Sequence, residues 1–142
     1  MESTKLGVIL DSSIAIEAER LQLNVGQFLR QLIQKIGEQE VALCSITVAE
    51  LVHGIYRANT AERRDRRRRF LDELKAVLPV YSIADAAAEL VGKLSAESSA
   101  RGATIPFDDL LIGGCALERG YSIATRNLRH FQRIPKLNIV QL

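Results

Sequence analysis

Four side chains in this sequence have the types and placing to hold a hard cation: Asp11, Glu50, Asp109 and, as a neutral fourth, Asn127. Asp11 directly follows the apolar run Leu6–Leu10, Glu50 comes shortly after Val41–Ser45, and Asn127 comes just past Ser122–Thr125. Asp109 opens an apolar helix with a second carboxylate, Asp108, beside it. Three carboxylates drawn together repel one another and raise each other's pKa unless something positive lies between them. Donors that are all oxygen suit Mg²⁺ or Mn²⁺, which take a few carboxylates and keep several waters. A cation so held lowers the pKa of a bound water and stabilises charge on phosphoryl oxygens, which is the chemistry of phosphodiester cleavage.

Each of these residues also has a local explanation. Asp11 or Ser12 can cap the helix that follows, and one Asp suffices as the cap of the helix at Asp108-Asp109. Thr47-x-x-Glu50 fits a capping box, in which the glutamate folds back on its own helix start, and the local sequence favours that role. His53 reads as a helix-face residue, and no orienting carboxylate is identifiable for His53 or His130. Ser12 and Ser13 have no His base within sequence reach. A phosphotransfer role with Asp11 as nucleophile is disfavoured, because Ser13 stands where such chemistry usually wants a second acid.

The elements that must position these groups alternate. Short runs rich in branched apolar residues (Leu6–Leu10, Val41–Ser45, Ser122–Thr125, Leu137–Val140, with a brief Val80-Tyr81) suit strands buried on both faces of a parallel sheet. Between them lie helices. Asn24 caps one whose apolar face is Val25, Phe28, Leu29, Leu32, Ile33 and Ile36, stopped by Gly37. Another spans Thr60–Leu78, with Phe70, Leu71, Leu74, Val77 and Leu78 as its stripe and Pro79 as its end. A third runs Ala84–Ala100 with Ala87, Leu90, Val91 and Leu94 inward, and a fourth runs Asp108–Glu118, where Gly113 and Gly114 let a neighbour pack close. In a parallel sheet the carboxyl ends of the strands share one edge, so Asp11, Glu50 and Asn127 should converge there, and Asp109 joins them if its helix start faces the same cleft. This is an α/β chain with a mainly parallel sheet.

Bulk properties set limits. The chain has 142 residues, 47% hydrophobic and 25% charged, a profile of one folded domain and not of disorder. A net charge of +2 gives no global attraction for nucleic acid, so local charge must provide it. That charge is the run Arg63, Arg64 and Arg66–Arg69, most of it a solvated face, with Arg63 and Arg67 expected on the inward side as phosphate contacts and no interleaved aromatics for base stacking. Cys44 and Cys115 sit in apolar contexts and read as reduced core residues. Met1–Lys5 lacks a leader pattern and no apolar run is long enough to span a bilayer, so a cytoplasmic location is expected.

Four blocks carry a family resemblance: Leu10-Asp11-Ser12-Ser13, Ser45-Ile46-Thr47-Val48-Ala49-Glu50-Leu51, Asp108-Asp109-Leu110-Leu111-Ile112-Gly113-Gly114-Cys115-Ala116-Leu117, and Ala124-Thr125-Arg126-Asn127-Leu128-Arg129-His130-Phe131. In this order, from Val8 to Val140, they resemble the PIN domain, and most closely the VapC-like toxins of bacterial toxin–antitoxin pairs. The resemblance implies a single domain over residues 1–142, a three-layer α/β/α sandwich with a mainly parallel sheet of four to five short strands. It places the metal-binding acids at Asp11, Glu50 and Asp109. Asp109 is selected over Asp108 because Ile112-Gly113-Gly114 follows at the family's spacing for Ile-Ala-Ala. Asn127 takes the fourth position, after Thr125-Arg126, where an Asn orients a water more readily than it neutralises a second metal, so the metal count stays open. Ser13 and Thr125 are expected to support the first acid, Asp108 to cap its helix or stand beside the metal, and Arg126 to join Arg63 and Arg67 as an RNA contact. The implied activity is Mg²⁺-dependent endoribonuclease, with Mn²⁺ as a substitute, in a homodimer inhibited by an antitoxin that inserts a basic side chain into the acidic cup. Alternatives are a PIN-like nuclease of RNA processing, or a non-catalytic binding module. Neither the RNA target nor the antitoxin is legible.

Overall fold

The residues of the first strand face alternate sides, and that alternation lays out the whole architecture. A computed structural model describes residues 7–142. Leu6, the first residue of the expected strand, and the Met1–Lys5 stretch read for a leader lie outside the described residues. The elements run β1 (Gly7–Leu10), α1 (Ser12–Arg20), α2 (Val25–Ile36), β2 (Glu40–Cys44), α3 (Ser45–Tyr56), α4 (Ala61–Val77), β3 (Val80–Tyr81), α5 (Asp85–Ala100), α6 (Phe107–Arg119), β4 (Ser122–Thr125), α7 (Leu128–Phe131) and β5 (Ile139–Gln141). The strands form one sheet in the order β3-β2-β1-β4-β5, every pairing parallel.

Side chains alternate across a strand. Val8 and Leu10 therefore join Val41, Leu43 and Ala124 in one core, against Ile14 of α1, Phe28 and Leu32 of α2, and Phe70 and Leu74 of α4. Ile9 joins Ala42, Cys44 and Ile123 in a second core, against Val91 and Leu94 of α5, Leu110, Ile112 and Ala116 of α6, and Phe131 of α7. Helices thus cover both faces of the sheet. All four residues of β1 and of β4 are buried, as a parallel sheet packed on both sides demands. Both cysteines are free and buried.

Local signals set most of the helix ends. Asn24 caps α2 through a reciprocal pair with Gln27, at 2.8 and 3.0 Å. Thr60 accepts from the Arg63 N–H at the start of α4, and Gly120 closes α6 with a left-handed φ of 72°. Two expected core positions are exposed, Val77 at 60% and Ile33 at 40%, while Leu29, Ile36 and Leu90 are half-buried. Val77 lies in the last turn of α4, where Leu78, expected on the same stripe, is the residue that is buried. Apolar periodicity does not resolve α1 or α7, since nine and four residues hold too few turns to define a face.

The paired glycines of α6 bear close contact. A Cβ on Gly114 would lie 2.4 Å from Val91 Cγ2 on α5, and one on Gly113 would lie 2.7 Å from Ile134 Cδ1. Gly92, within α5, has open space instead. Gly114→Ala is therefore expected to destabilise the chain by about 1–3 kcal/mol through overpacking, whereas Gly92→Ala stabilises it by roughly 0.5–1 kcal/mol. Urea denaturation of the two variants checks this, and equal midpoints would contradict it.

Candidate metal centre

Asp11 enters the cleft on the sheet itself. Its backbone N–H donates to the Ala124 carbonyl at 2.9 Å, extending the β1–β4 ladder by one residue. Asp11 occupies the N-cap position of α1, yet its side chain makes no cap bond. Its Oδ2 instead accepts from Ser13 Oγ at 2.7 Å and from Thr125 Oγ1 at 2.8 Å. The same two hydroxyls accept in turn from the backbone N–H groups of Arg126 and Asn127. Each hydroxyl so spends its one proton on Asp11, which fixes the orientation of a carboxylate only 3% exposed. Ser13 and Thr125 stand where supporting residues were expected.

Glu50 is not a capping residue. Helix α3 begins at Ser45 with Cys44 as its N-cap, so Glu50 lies beyond the first turn. Thr47, fully buried, donates across to the Leu10 carbonyl at 3.1 Å. That bond ties the start of α3 to the end of β1, which brings Glu50 to Asp11. Burial raises the Glu50 pKa most, Asp108 and Asp11 are close enough to raise it further, and Ser12 is close enough to lower it.

The expectation that Asp108 caps α6 is also corrected. Pro106 holds the N-cap position, no side chain caps the helix, and both Asp108 and Asp109 lie in its first turn. Pro106 has a fixed φ and leaves the first turn free of a competing cap. Asp109 turns inward and is 5% exposed. Asp108 is exposed at the mouth. His130 has a carboxylate partner after all: its Nδ1 lies 2.9 Å from Asp109 Oδ2. The pair is at ion-pair distance without a ring N–H aimed at the oxygen, and Asp109 Oδ2 keeps no aligned hydrogen bond. Sequence spacing could not show this contact, because α6 and α7 meet only through tertiary packing.

The remaining candidates divide. Asn127 is exposed, and its backbone N–H, not its side chain, takes part in the Asp11 network. Arg63 does not face inward; it is exposed, with Nη1 3.5 Å from Asn59 Oδ1. Arg66 takes the inward place, its Nε 2.7 Å from Oε1 of the buried Glu19. Arg67 donates to the Gly54 carbonyl at 2.7 Å and lies 3.9 Å from the other Glu19 oxygen. It shares with Glu50 a cleft of about 140 Å³ walled by Ile16, Leu51 and Phe70. Arg126 reaches a different pocket, beside Glu17 and Lys35.

Among the described residues, charge in the cup is compensated only beside Asp109, by His130. Burial first, and then the Asp108 carboxyl, pushes Glu50 up to about 8. Burial and the Asp108 charge push Asp109 up to about 6, with His130 pulling the other way. Glu50 Oε1 and Asp109 Oδ2 are buried oxygens without a hydrogen-bond partner, a costly condition that a cation relieves. Among the described residues, no three His, Cys, Asp or Glu side chains are gathered tightly enough to hold an ion as they stand. The donors fit a hard divalent cation in kind, since Mg²⁺ commonly takes one or two carboxylates and fills its shell with water.

The chain is similar to known proteins. The PIN domain family model matches residues 8–137. Ribonuclease VapC1 of Rickettsia felis is 25% identical over 135 residues, covering 95% of this chain and 96% of that protein. The tRNA(fMet)-specific endonuclease VapC of Salmonella typhimurium is 30% identical over 104 residues, 73% of this chain and 76% of that one. A solved DNA-bound VapBC from Salmonella typhimurium superposes with a TM-score of 0.81 at 26% identity, over 96% of this chain and 98% of its own.

The raised carboxyls fix the sign of a pH effect. Glu50 and Asp109 lie above their ordinary values of 4.5 and 3.8 in the folded chain. Between those values and about 8 the folded chain therefore holds more protons than the unfolded chain, and stability falls as pH rises. The melting temperature of the metal-free chain is expected to fall between about pH 5 and pH 8, with a shallower fall in Glu50→Gln. An unchanged slope in Glu50→Gln would contradict the placement of that carboxyl.

Proposed function

The chain belongs to the PIN domain family, and from that footing we propose that it is a divalent-cation-dependent endoribonuclease, the toxin of a toxin–antitoxin pair. One observation carries the reading: Asp11 lies near enough to both Glu50 and Asp109, from two other segments, to act on each by charge, and those two keep buried oxygens unpaired. Structural needs alone do not call for that arrangement, because each acid has shed the cap it could have made. The names of the similar proteins, ribonuclease and tRNA endonuclease, support the same chemistry.

Asp11, Glu50 and Asp109 would hold Mg²⁺ or Mn²⁺. The ion would supply a bound water of lowered pKa and a counter-charge for phosphoryl oxygens. The chain's own part is positional. Ser13 and Thr125 aim Asp11, and Thr47 holds α3, and so Glu50, against the end of β1. Arg67, across the shared cleft from Glu50, offers a fixed positive charge to an RNA phosphate. The acidic cup also fits a basic side chain from an antitoxin, and the VapBC assembly among the similar structures supports such a partner. A homodimer belongs to the same proposal.

A second reading, a PIN fold used only for binding, draws on the absence of three tightly gathered ligands among the described residues. One experiment separates the two. Incubated with tRNA and mixed RNA in Mg²⁺, the chain is expected to cut, and to stop in EDTA. Asp109→Asn removes a charge that supports a cation contributing several kcal/mol, so its rate should drop on the order of a hundredfold or more at 1.36 kcal/mol per factor of ten. Cleavage by Asp109→Asn at the wild-type rate would exclude the metal role of Asp109, and no cleavage by the wild type would favour the binding module.

A further inference from the structure

We propose that Glu19 is a positioning residue for RNA: it clamps Arg66 and Arg67 so that Arg67 meets a backbone phosphate beside the acidic cup. This rests on the RNA-cleaving reading of that cup. Glu19 itself stands outside the cup, two turns along α1 from Asp11 and so about 12 Å down the helix axis. It is a buried acid, 9% exposed, and it faces two arginines of α4. Arg66 Nε donates to Glu19 Oε1 at 2.7 Å, and Arg67 Nε lies 3.9 Å from Oε2. A second anchor holds Arg67, whose Nη1 donates to the Gly54 carbonyl of α3 at 2.7 Å. A buried carboxylate needs one cation to balance it, so a purely structural ion pair would use one of these arginines. The other leaves a surplus positive charge, fixed between three helices at the cleft that Arg67 shares with Glu50.

The surroundings fit a nucleic-acid strand. Glu19 and Phe70 wall both the cleft of about 140 Å³ next to Glu50 and an adjoining one of about 250 Å³, which Arg66 and Arg69 also line. Arginine thus stands in each cleft, along a path between α1 and α4 that leads away from the cup. Beyond Glu50, the arginines at positions 66, 67 and 69 face only two acids, Glu19 and Glu73, so the path is positive. A guanidinium held at Nε and Nη1 is already oriented, and it loses little further freedom on taking a phosphate oxygen. Free in solvent, the same side chain would give up most of its rotamer entropy in that step.

Fluorescence anisotropy of a labelled single-stranded RNA dodecamer, titrated with the full chain in EDTA over about 50–200 mM KCl, tests this apart from cleavage. Glu19→Gln makes the chain more positive, so an acid that only lies near the strand would give tighter RNA binding once neutralised. If Glu19 positions Arg67, affinity falls instead, by about threefold to tenfold. The slope of log affinity against log salt becomes shallower by about 0.7, the share of one single-strand phosphate. Arg67→Ala is expected to show the same loss, and the double variant to bind no more weakly than either single one. In Mg²⁺, Glu19→Gln should raise KM and leave kcat within about twofold. Tighter or unchanged RNA binding by a folded Glu19→Gln overturns the inference. So does wild-type RNA binding by Arg67→Ala, even if that variant has lost affinity for an acidic peptide such as polyglutamate. Should Glu19→Gln lose the circular dichroism spectrum of the fold, Arg67→Lys decides, since it keeps the charge and loses the double anchor. It is expected to bind as weakly as Arg67→Ala, and wild-type affinity overturns the inference. A wild type that binds RNA through Arg67 but cuts none in Mg²⁺ upholds the role of Glu19 and removes the nuclease reading. A wild type that cuts RNA while Glu19→Gln binds it normally does the reverse.

Discussion

The cost of holding like charges together in a half-buried cleft governs the site end of this molecule. Asp11 and Asp109 are nearly closed off from solvent, Glu50 is half-buried, and Asp108 adds a fourth carboxyl at the rim. Water screens such repulsion poorly once the groups are buried. The partial counter-charge of His130 reaches only Asp109, and off alignment. What remains is a pocket that raises its own carboxyl pKa values and leaves two oxygens unpaired. An arrangement so costly to stability is expected at functional sites, where local rules give way to chemistry.

The rest of the fold supports that cost. Two apolar cores, one on each face of a five-stranded parallel sheet, fix the carboxyl edge from which Asp11 projects. The Leu10–Leu43 and Leu10–Ala124 registers bring the ends of β1, β2 and β4 level. Thr47 and Thr125 convert that level edge into side-chain placement, one by holding α3 and the other by holding Asp11 itself. Gly113 and Gly114 do the same for α6, since side chains there would push the helix off Val91 and Ile134 and move Asp109 with it.

Much of this is legible in the sequence. Apolar runs located the strands, periodicity with Asn24 and Gly37 bounded α2, and the succession of strand and polar residue picked out Asp11, Glu50 and Asn127, the last of which is exposed and joins the Asp11 network only through its backbone N–H. Failures cluster where a local rule competed with a tertiary one. Thr47-x-x-Glu50 satisfied the capping-box pattern, but Thr47 gave its proton to Leu10. Asp108 looked like a cap, but Pro106 already occupied the N-cap position. Arg63 fell on the apolar side of an ideal wheel, but the acid that draws arginines inward, Glu19, lies on α1 and selects Arg66 and Arg67. The contact of His130 with Asp109 joins α7 to α6 and has no signature in spacing.

Under the proposed function these acids hold a divalent cation. Anomalous diffraction from crystals grown with Mn²⁺, recorded near the manganese absorption edge, addresses it most directly. The account predicts an anomalous peak within about 2–2.5 Å of carboxylate oxygens of Asp11 and Asp109 or of Glu50. A fully ordered cup with no anomalous density under saturating Mn²⁺, its acids bridged by water alone, would contradict it.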